Sequence, residues 1–181
     1  MRRAFDRPAA DYDDDHQDAV AATLIHLAAP SPADRRVPDV ACGTGAVALA
    51  LARTRSPADP AVLAVDVSAG MVAAGRARAR RAAPSGAIDW RVADAVPLPC
   101  ADGGLDLILC ASSLHFLVAR ALADRRRALR PGGRVGYTLP LAPGFRASAA
   151  LVAAAGLPDP LVRITRVGDR RIALTLAHTP A

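Results

Sequence analysis

The chain is predicted to fold as an α/β protein, a mostly parallel sheet with helices on both faces, and three observations predict it. The stretch Val37-Pro38-Asp39-Val40-Ala41-Cys42-Gly43-Thr44-Gly45-Ala46-Val47-Ala48-Leu49-Ala50 reads as a short apolar strand, a tight glycine turn and an alanine-rich helix. Other short apolar runs alternate with longer helical patterns along the rest of the chain. Of the 181 residues 52% are hydrophobic but only 3% aromatic, so the core is built from Ala, Val and Leu, as a helix-covered parallel sheet uses. This length supports one domain with a substantial core.

Taken in order, residues 1–15 are polar and turn-rich. Asp14 or Asp15 is placed to cap a helix from His16 to Ala28, with Val20, Leu24, Ile25 and Leu27 on its apolar face. Ala29-Pro30-Ser31-Pro32 stops it. The first strand is read over Arg36–Ala41, with Pro38 among its first residues because proline has no N–H to give to a ladder. After the glycines a helix runs to Arg53, and Val62–Val67 is a second strand ending in an acid. Ser68 starts a helix through Ala83, Ile88–Val92 alternates as a third strand, and Leu105–Cys110 is a fourth. A helix from Val118 to Leu129 meets the stop signal Pro131-Gly132-Gly133, and Arg134–Leu139 forms the fifth strand. A short helix over Ala147–Ala155 and a closing hairpin, Leu161–Val167 with Arg171–Ala177, complete the reading.

The formal charge is +6, yet none of the 23 basic side chains is Lys. The arginines cluster at Arg76–Arg81, Arg120–Arg130 and Arg163–Arg171, within runs that read as solvated helix faces or a hairpin. Few aromatics are present to stack bases, so no nucleic-acid partner is expected. Cys42, Cys100 and Cys110 form neither a CxxC pair nor a metal pattern, so no metal is expected and the thiols are read as free in a reducing cytoplasm. No apolar leader region and no apolar run of bilayer-spanning length occurs in the sequence.

The chemistry centres on the glycine turn. Glycine there lets the backbone adopt positive φ and approach a ligand, while the free N–H groups of the following helix point into the same space. Asp66 lies about twenty residues further on, where a strand-end carboxylate can accept from ribose hydroxyls. Gly43-Thr44-Gly45-Ala46-Val47-Ala48 also fits the dinucleotide pattern, so these residues alone leave a nicotinamide dinucleotide and S-adenosylmethionine both open.

Five motifs in order narrow this. Phe5-Asp6 with Ala10-Asp11-Tyr12-Asp13 open the chain, followed by Asp39-Val40-Ala41-Cys42-Gly43-Thr44-Gly45 and Val65-Asp66-Val67-Ser68-Ala69-Gly70-Met71. Ala93-Asp94-Ala95 with Leu98-Pro99 and Leu105-Asp106 come next, then Leu129-Arg130-Pro131-Gly132-Gly133. The set resembles the class I S-adenosylmethionine-dependent methyltransferases, in particular the small-molecule group called type 11 or UbiE-like. The resemblance implies a Rossmann-like doubly wound sheet of about seven strands with a reversed last strand. It implies that Gly43 and Gly45, with the backbone of Ala41 and Cys42, cradle the methionine part and ribose of the cofactor. Asp39 would steady that loop and the cofactor's amino group, and Asp66 would hold the ribose hydroxyls. Val67 and Met71 would line the adenine pocket, Asp94 would accept from the adenine amino group, and the Ala95 N–H would donate to a ring nitrogen. The backbone at Cys110 and Ala111 would face the amino-acid part. The family pattern is broken at Pro38, at Ala41, where many relatives carry a further glycine, and at Cys100, where an aromatic commonly stands. The segment after the fifth strand is also too short for the lid that many relatives carry.

Methyl transfer is an in-line displacement for which the protein aligns the acceptor and excludes water. His115, after the fourth strand, stands where the methyl group and the acceptor should meet and is the candidate catalytic group, against a plain pocket wall. Tyr12 and His16, from a helical segment 1–35 folded over the cleft of the domain 36–181, are candidates to line the small-molecule acceptor's site. Two other classes compete. A nicotinamide oxidoreductase of the short-chain type would need a Tyr-x-x-x-Lys pair, which a chain without lysine cannot supply. A methyltransferase-like partner module without catalysis would keep the fold and lose the cofactor.

Overall fold

The computed structural model describes residues 14–82, 86–113, 118–141, 161–167 and 170–178. Its elements are α1 (Asp14–Ala28), β1 (Asp39–Val40), α2 (Ala46–Ala52), β2 (Val62–Asp66), α3 (Ala69–Ala82) and β3 (Ile88–Val92). They continue with β4 (Leu105–Cys110), α4 (Val118–Ala128), β5 (Leu129–Pro140), β6 (Leu161–Val167) and β7 (Arg170–His178). The seven strands form one sheet in the order β3-β2-β1-β4-β5-β7-β6. β7 runs antiparallel to both β5 and β6, while the pairs from β3 across to β5 are parallel. This is the doubly wound sheet with a reversed last strand.

Side chains alternate across the sheet with the period of two that a strand imposes. On one face Leu107 and Leu109 of β4 join Val20 and Leu24 of α1, Val47 and Leu51 of α2, Val72 of α3 and Trp90 of β3. On the other, Ile108 and Cys110 pack with Val40, Val65, Leu98, Ala121, Tyr137 and Leu139. Sheet-facing residues of α1 follow the expected stripe, Val20, Ala21, Leu24 and Ala28 being buried. The helix already includes Asp14 and Asp15, so neither caps it. Its C-terminal carbonyl at Ala28 accepts from Arg134 of β5 at 2.6 Å, a cation at the negative end of the helix.

Three sequence expectations are corrected. β1 is two residues long rather than six, because Pro38 has no N–H to give; its carbonyl still accepts from Leu109 N–H at 3.1 Å, and Asp106 takes the Arg36 N–H through its carboxylate at 2.8 Å. Pro131-Gly132-Gly133 ends α4 without ending the pairing. Leu129 already pairs with Leu105, and the ladder resumes at Leu107 with Arg134, so the three residues form an irregularity inside β5. The third correction concerns α4, whose arginines are not all a solvated face. Arg125 is buried, with 1% of its surface exposed. The helix expected over Ala147–Ala155 and the segment expected to lack a lid lie outside the described residues. Among the described residues no helix is long and apolar enough to cross a membrane.

Candidate functional site

The turn after β1 has the geometry its glycines permit. Gly43 and Gly45 lie at φ 54° and 83°, and Ala41 is also left-handed at φ 54°. For alanine that conformation costs about 1–2 kcal/mol. The turn is held by its own amides, Cys42 N–H donating to Val65 C=O at 3.0 Å and Gly45 N–H to Cys42 C=O at 2.8 Å. Gly45 is the N-cap of α2 and has no side chain to satisfy the helix's free amides. Asp39 replaces it from the end of β1, its Oδ2 accepting from Ala48 N–H at 2.9 Å.

Gly45 has a second reason to be glycine. A Cβ there would stand 2.2 Å from Trp90 Cη2, and one at Gly75 of α3 would stand 2.4 Å from Trp90 Cζ3. The indole fills the space that the two glycines leave, and so fixes α2 and α3 against β3. That close approach sets where the glycine turn sits relative to the strand ends.

Two carboxylates meet the turn. Asp66, at the end of β2, accepts from Gly43 N–H at 2.9 Å through Oδ2 and from Ser68 N–H at 2.8 Å through Oδ1. Ser68 Oγ in turn accepts from Met71 N–H at 3.1 Å, so the residue expected to begin the helix caps it. Asp39 is 1% exposed. Burial pushes its carboxyl up to about 7; the Ala48 N–H pulls against this and the Asp66 charge adds to it. Burial likewise drives the Cys42 thiol well above its ordinary value and Cys110 to about 12, so neither is a thiolate nucleophile.

These groups open on a small cleft lined by Gln17, Asp39, Ala41, Cys42, Thr44, Ala46, Val47 and Ala111. It lies between the carboxyl ends of β1 and β4, where the strand order reverses and an open α/β sheet offers its crevice. Opposite the turn, Ser113 Oγ donates to Ala111 C=O at 3.0 Å and approaches Ala41 C=O at 3.4 Å. Ser112 is left-handed at φ 56° and its N–H donates to Thr138 Oγ1 at 2.8 Å.

Of the residues singled out in the sequence, Asp39, Ala41, Cys42 and Ala111 line this cleft, and Asp66 is bonded to the turn through Gly43. Val67, Met71, Asp94 and Ala95 follow the ends of β2 and β3 and do not line it; Asp94 is exposed and Ala95 buried. Cys110 is buried on the far face of the sheet from the turn's helix. Tyr12 and His115 lie outside the described residues, and His16, half-buried on α1, is not among the lining groups. Gln17 is, and sequence reasoning passed over it together with Thr44. A signal for Gln17 existed, since it continues the 28, 24, 21 spacing of the buried stripe of α1 with a polar side chain. Among the described residues no group of three or more His, Cys, Asp or Glu gathers to hold a metal ion.

Sheet order, reversed strand and switch-point turn define the Rossmann-like class in which methyltransferases are built. Residues 37–133 match the family model of the methyltransferase domain, and the chain belongs to that family. No curated protein matches it in sequence. Among solved structures it is similar to the [4+2]-cyclase SpnF, with TM-score 0.72 and 20% identity over 91% of this chain and 81% of that one. It is also similar to TrmN from Thermus thermophilus, with TM-score 0.69 and 27% identity over 88% of this chain but only 48% of that one. A third is phosphoethanolamine N-methyltransferase 2 of Haemonchus contortus, solved with phosphomonomethylethanolamine and S-adenosylhomocysteine. There the TM-score is 0.70 and the identity 15%, over 89% of this chain and 52% of that one. The chain thus spans about half the length of the last two.

Proposed function

We propose that the protein transfers a methyl group from S-adenosylmethionine to a small-molecule acceptor by in-line displacement. The observation that carries this reading is the Asp66 carboxylate, pinned by the Gly43 and Ser68 amides at the end of β2. Each of its oxygens accepts one amide and keeps a second lone pair, which suits two neighbouring ribose hydroxyls. Asp39, buried at the cleft with one oxygen bonded to Ala48 N–H, suits a cationic amino group at its other oxygen. When bound, the sulfonium supplies an electrophilic methyl carbon. The chain's part is to hold the cofactor at Gly43, Gly45 and the backbone of Ala41, Cys42, Cys110 and Ala111, and to keep water from the reacting face. Val67, Met71, Asp94 and Ala95 form the adenine end in this reading. In this reading the segment 1–35 would cover the cleft of 36–181 and bring Tyr12 and His16, with Gln17, to the acceptor side, and His115 would meet the acceptor beside the methyl group. Free thiols at Cys42, Cys100 and Cys110 agree with a cytoplasmic protein.

Isothermal titration with S-adenosylhomocysteine and with NADH tests the reading. The former is expected to bind and the latter not. Asp66→Ala is expected to weaken binding at least about a hundredfold, since it removes a charged acceptor and frees the Gly43 amide, whereas His115→Ala leaves binding nearly intact. Equal losses in the two variants, or no binding by the native protein, would overturn it.

A further inference from the structure

The loop between β3 and β4 has little regular structure, yet its backbone is fastened from one side by three side chains from the last turn of α4. Asp124 Oδ2 accepts from Leu98 N–H at 2.7 Å. Arg125 Nη1 donates to Ala95 C=O at 3.0 Å and to Asp124 Oδ2 at 3.1 Å. Arg127 donates to Leu98 C=O at 3.0 Å, to Cys100 C=O at 3.2 Å and to Asp124 Oδ1 at 2.9 Å. The contacts to Ala95 and Leu98 are all to main chain, and Arg127 also pairs with the Asp102 carboxylate further along the loop, so the clamp fixes the path of residues 95–98 whatever their side chains are.

Arg125 and Asp124 are also nearly out of water, their side chains 2% and 7% exposed. Arg125 Nη2 is buried without a hydrogen-bond partner among the described residues. A surface ion pair would have made a cheaper helix contact, and burying two guanidinium contacts on one carboxylate is a poor route to stability alone. Packed apolar side chains such as Ala121 and Ala128 already seat this helix on the sheet.

We propose that Asp124, Arg125 and Arg127 are positioning residues for recognition of the cofactor's base, holding the Ala95–Cys100 backbone so that Asp94 and the Ala95 N–H meet the adenine edge. This rests on the reading of Asp94 and Ala95 given above. A hydrogen bond from an amino group to a carboxylate needs its acceptor held within a few tenths of an ångström, and a loop without its own ladder does not hold it. The clamp supplies the rigidity from outside the pocket, and none of its three side chains is required to touch the ligand.

The test compares S-adenosylhomocysteine with S-inosylhomocysteine, which carries a carbonyl where adenine carries its amino group and an N1–H where adenine N1 accepts. The native protein is expected to prefer the adenine ligand by at least about thirtyfold, the worth of the charge-assisted bond to Asp94 alone. In Arg125→Met that preference is expected to fall below about threefold, through loss of the adenine ligand's affinity while the inosine ligand's changes little. Should Arg125→Met fail to fold, Arg127→Met carries the test by the same ratio, its side chain being 30% exposed. A preserved ratio in the folded variant overturns the proposal, as does an equal loss of both ligands, which marks a clamp that only stabilises. If the native protein binds neither ligand, it is the proposed function that fails.

Discussion

Replacing Asp39 by Asn is expected to make the protein more stable above pH 7 and a poorer binder of cofactor. The carboxyl is buried and held at about 7, whereas in the unfolded chain it ionises near 4. Between these values the folded state keeps a proton that the unfolded state has released, so stability falls as pH rises from about 4 to about 7 and then levels. At about 1.4 kcal/mol for each tenfold change in proton affinity, the loss is on the order of 4 kcal/mol. Asn mimics the protonated acid and its carbonyl still accepts from Ala48 N–H, while its amide hydrogens take back about 1–2 kcal/mol where they lack acceptors. A net gain of about 2–3 kcal/mol at pH 8 raises Tm by about 6–9 °C for a chain of this length. Near pH 4 the two proteins should melt together or the variant slightly earlier. Urea titrations of both proteins from pH 4 to 8 measure this, and the difference between the two curves, not either curve, isolates Asp39 from the other carboxylates. A difference that does not change with pH, or an Asn variant that is less stable at pH 8, refutes the reasoning. Titration with S-adenosylhomocysteine at pH 8 should show at least about a tenfold loss of affinity in the variant, for one charged contact.

Gly45→Ala is expected to lose about 3 kcal/mol or more, from an alanine forced to φ 83° and a methyl driven into the Trp90 ring. Adding Trp90→Phe removes the clashing Cη2 and Cζ3 atoms, so a double-mutant cycle in urea should recover the overpacking part, about 1–3 kcal/mol, and leave the backbone part. Ala41→Gly should go the other way. Relief of the left-handed alanine is worth about 1–2 kcal/mol and the added freedom of unfolded glycine takes back about 0.5–1, leaving a gain of up to about 1 kcal/mol in the urea midpoint.

What was legible in the sequence follows the local physics of each element. β3 and β4 begin and end where alternation and the apolar run place them, because their limits are set by side chains that are either buried or not. The glycine turn was legible for a similar reason, since positive φ needs a residue type that the sequence displays. Misreadings came where the deciding partner is far away in the chain. Pro38 shortened β1 because its missing N–H faces a neighbouring strand, and Pro131-Gly132-Gly133 stayed within β5 because Leu105 captures Leu129 across the sheet. Arg125 is the sharpest case. On a helix of adjacent arginines nothing local distinguishes the one that is buried from Arg126 beside it, which is exposed. Only the loop carbonyl at Ala95 and the carboxylate of Asp124 make that burial tolerable, and both depend on how the sheet brings the β3–β4 loop over α4.

The two carboxylates at the turn are held by unequal means, and the inequality bears on function. Asp66 has an amide on each oxygen, so the orientation of its carboxylate is fixed by the chain itself. Asp39 has one amide and lies deeper, which is why burial dominates its proton affinity. A site meant only to be stable would carry an amide-forming or apolar residue there, and the predicted gain from Asn says how much stability is forgone. What the carboxylate adds is a place where a cation is favoured by the same desolvation that penalises the lone charge: a cationic ligand at Asp39 replaces the proton, and the electrostatic strain of the empty turn becomes part of the ligand's affinity. On this argument, stabilisation of the fold by S-adenosylhomocysteine should grow as pH rises from 6 to 8, because the apo protein weakens over that interval while the complex, its Asp39 already ionised, does not.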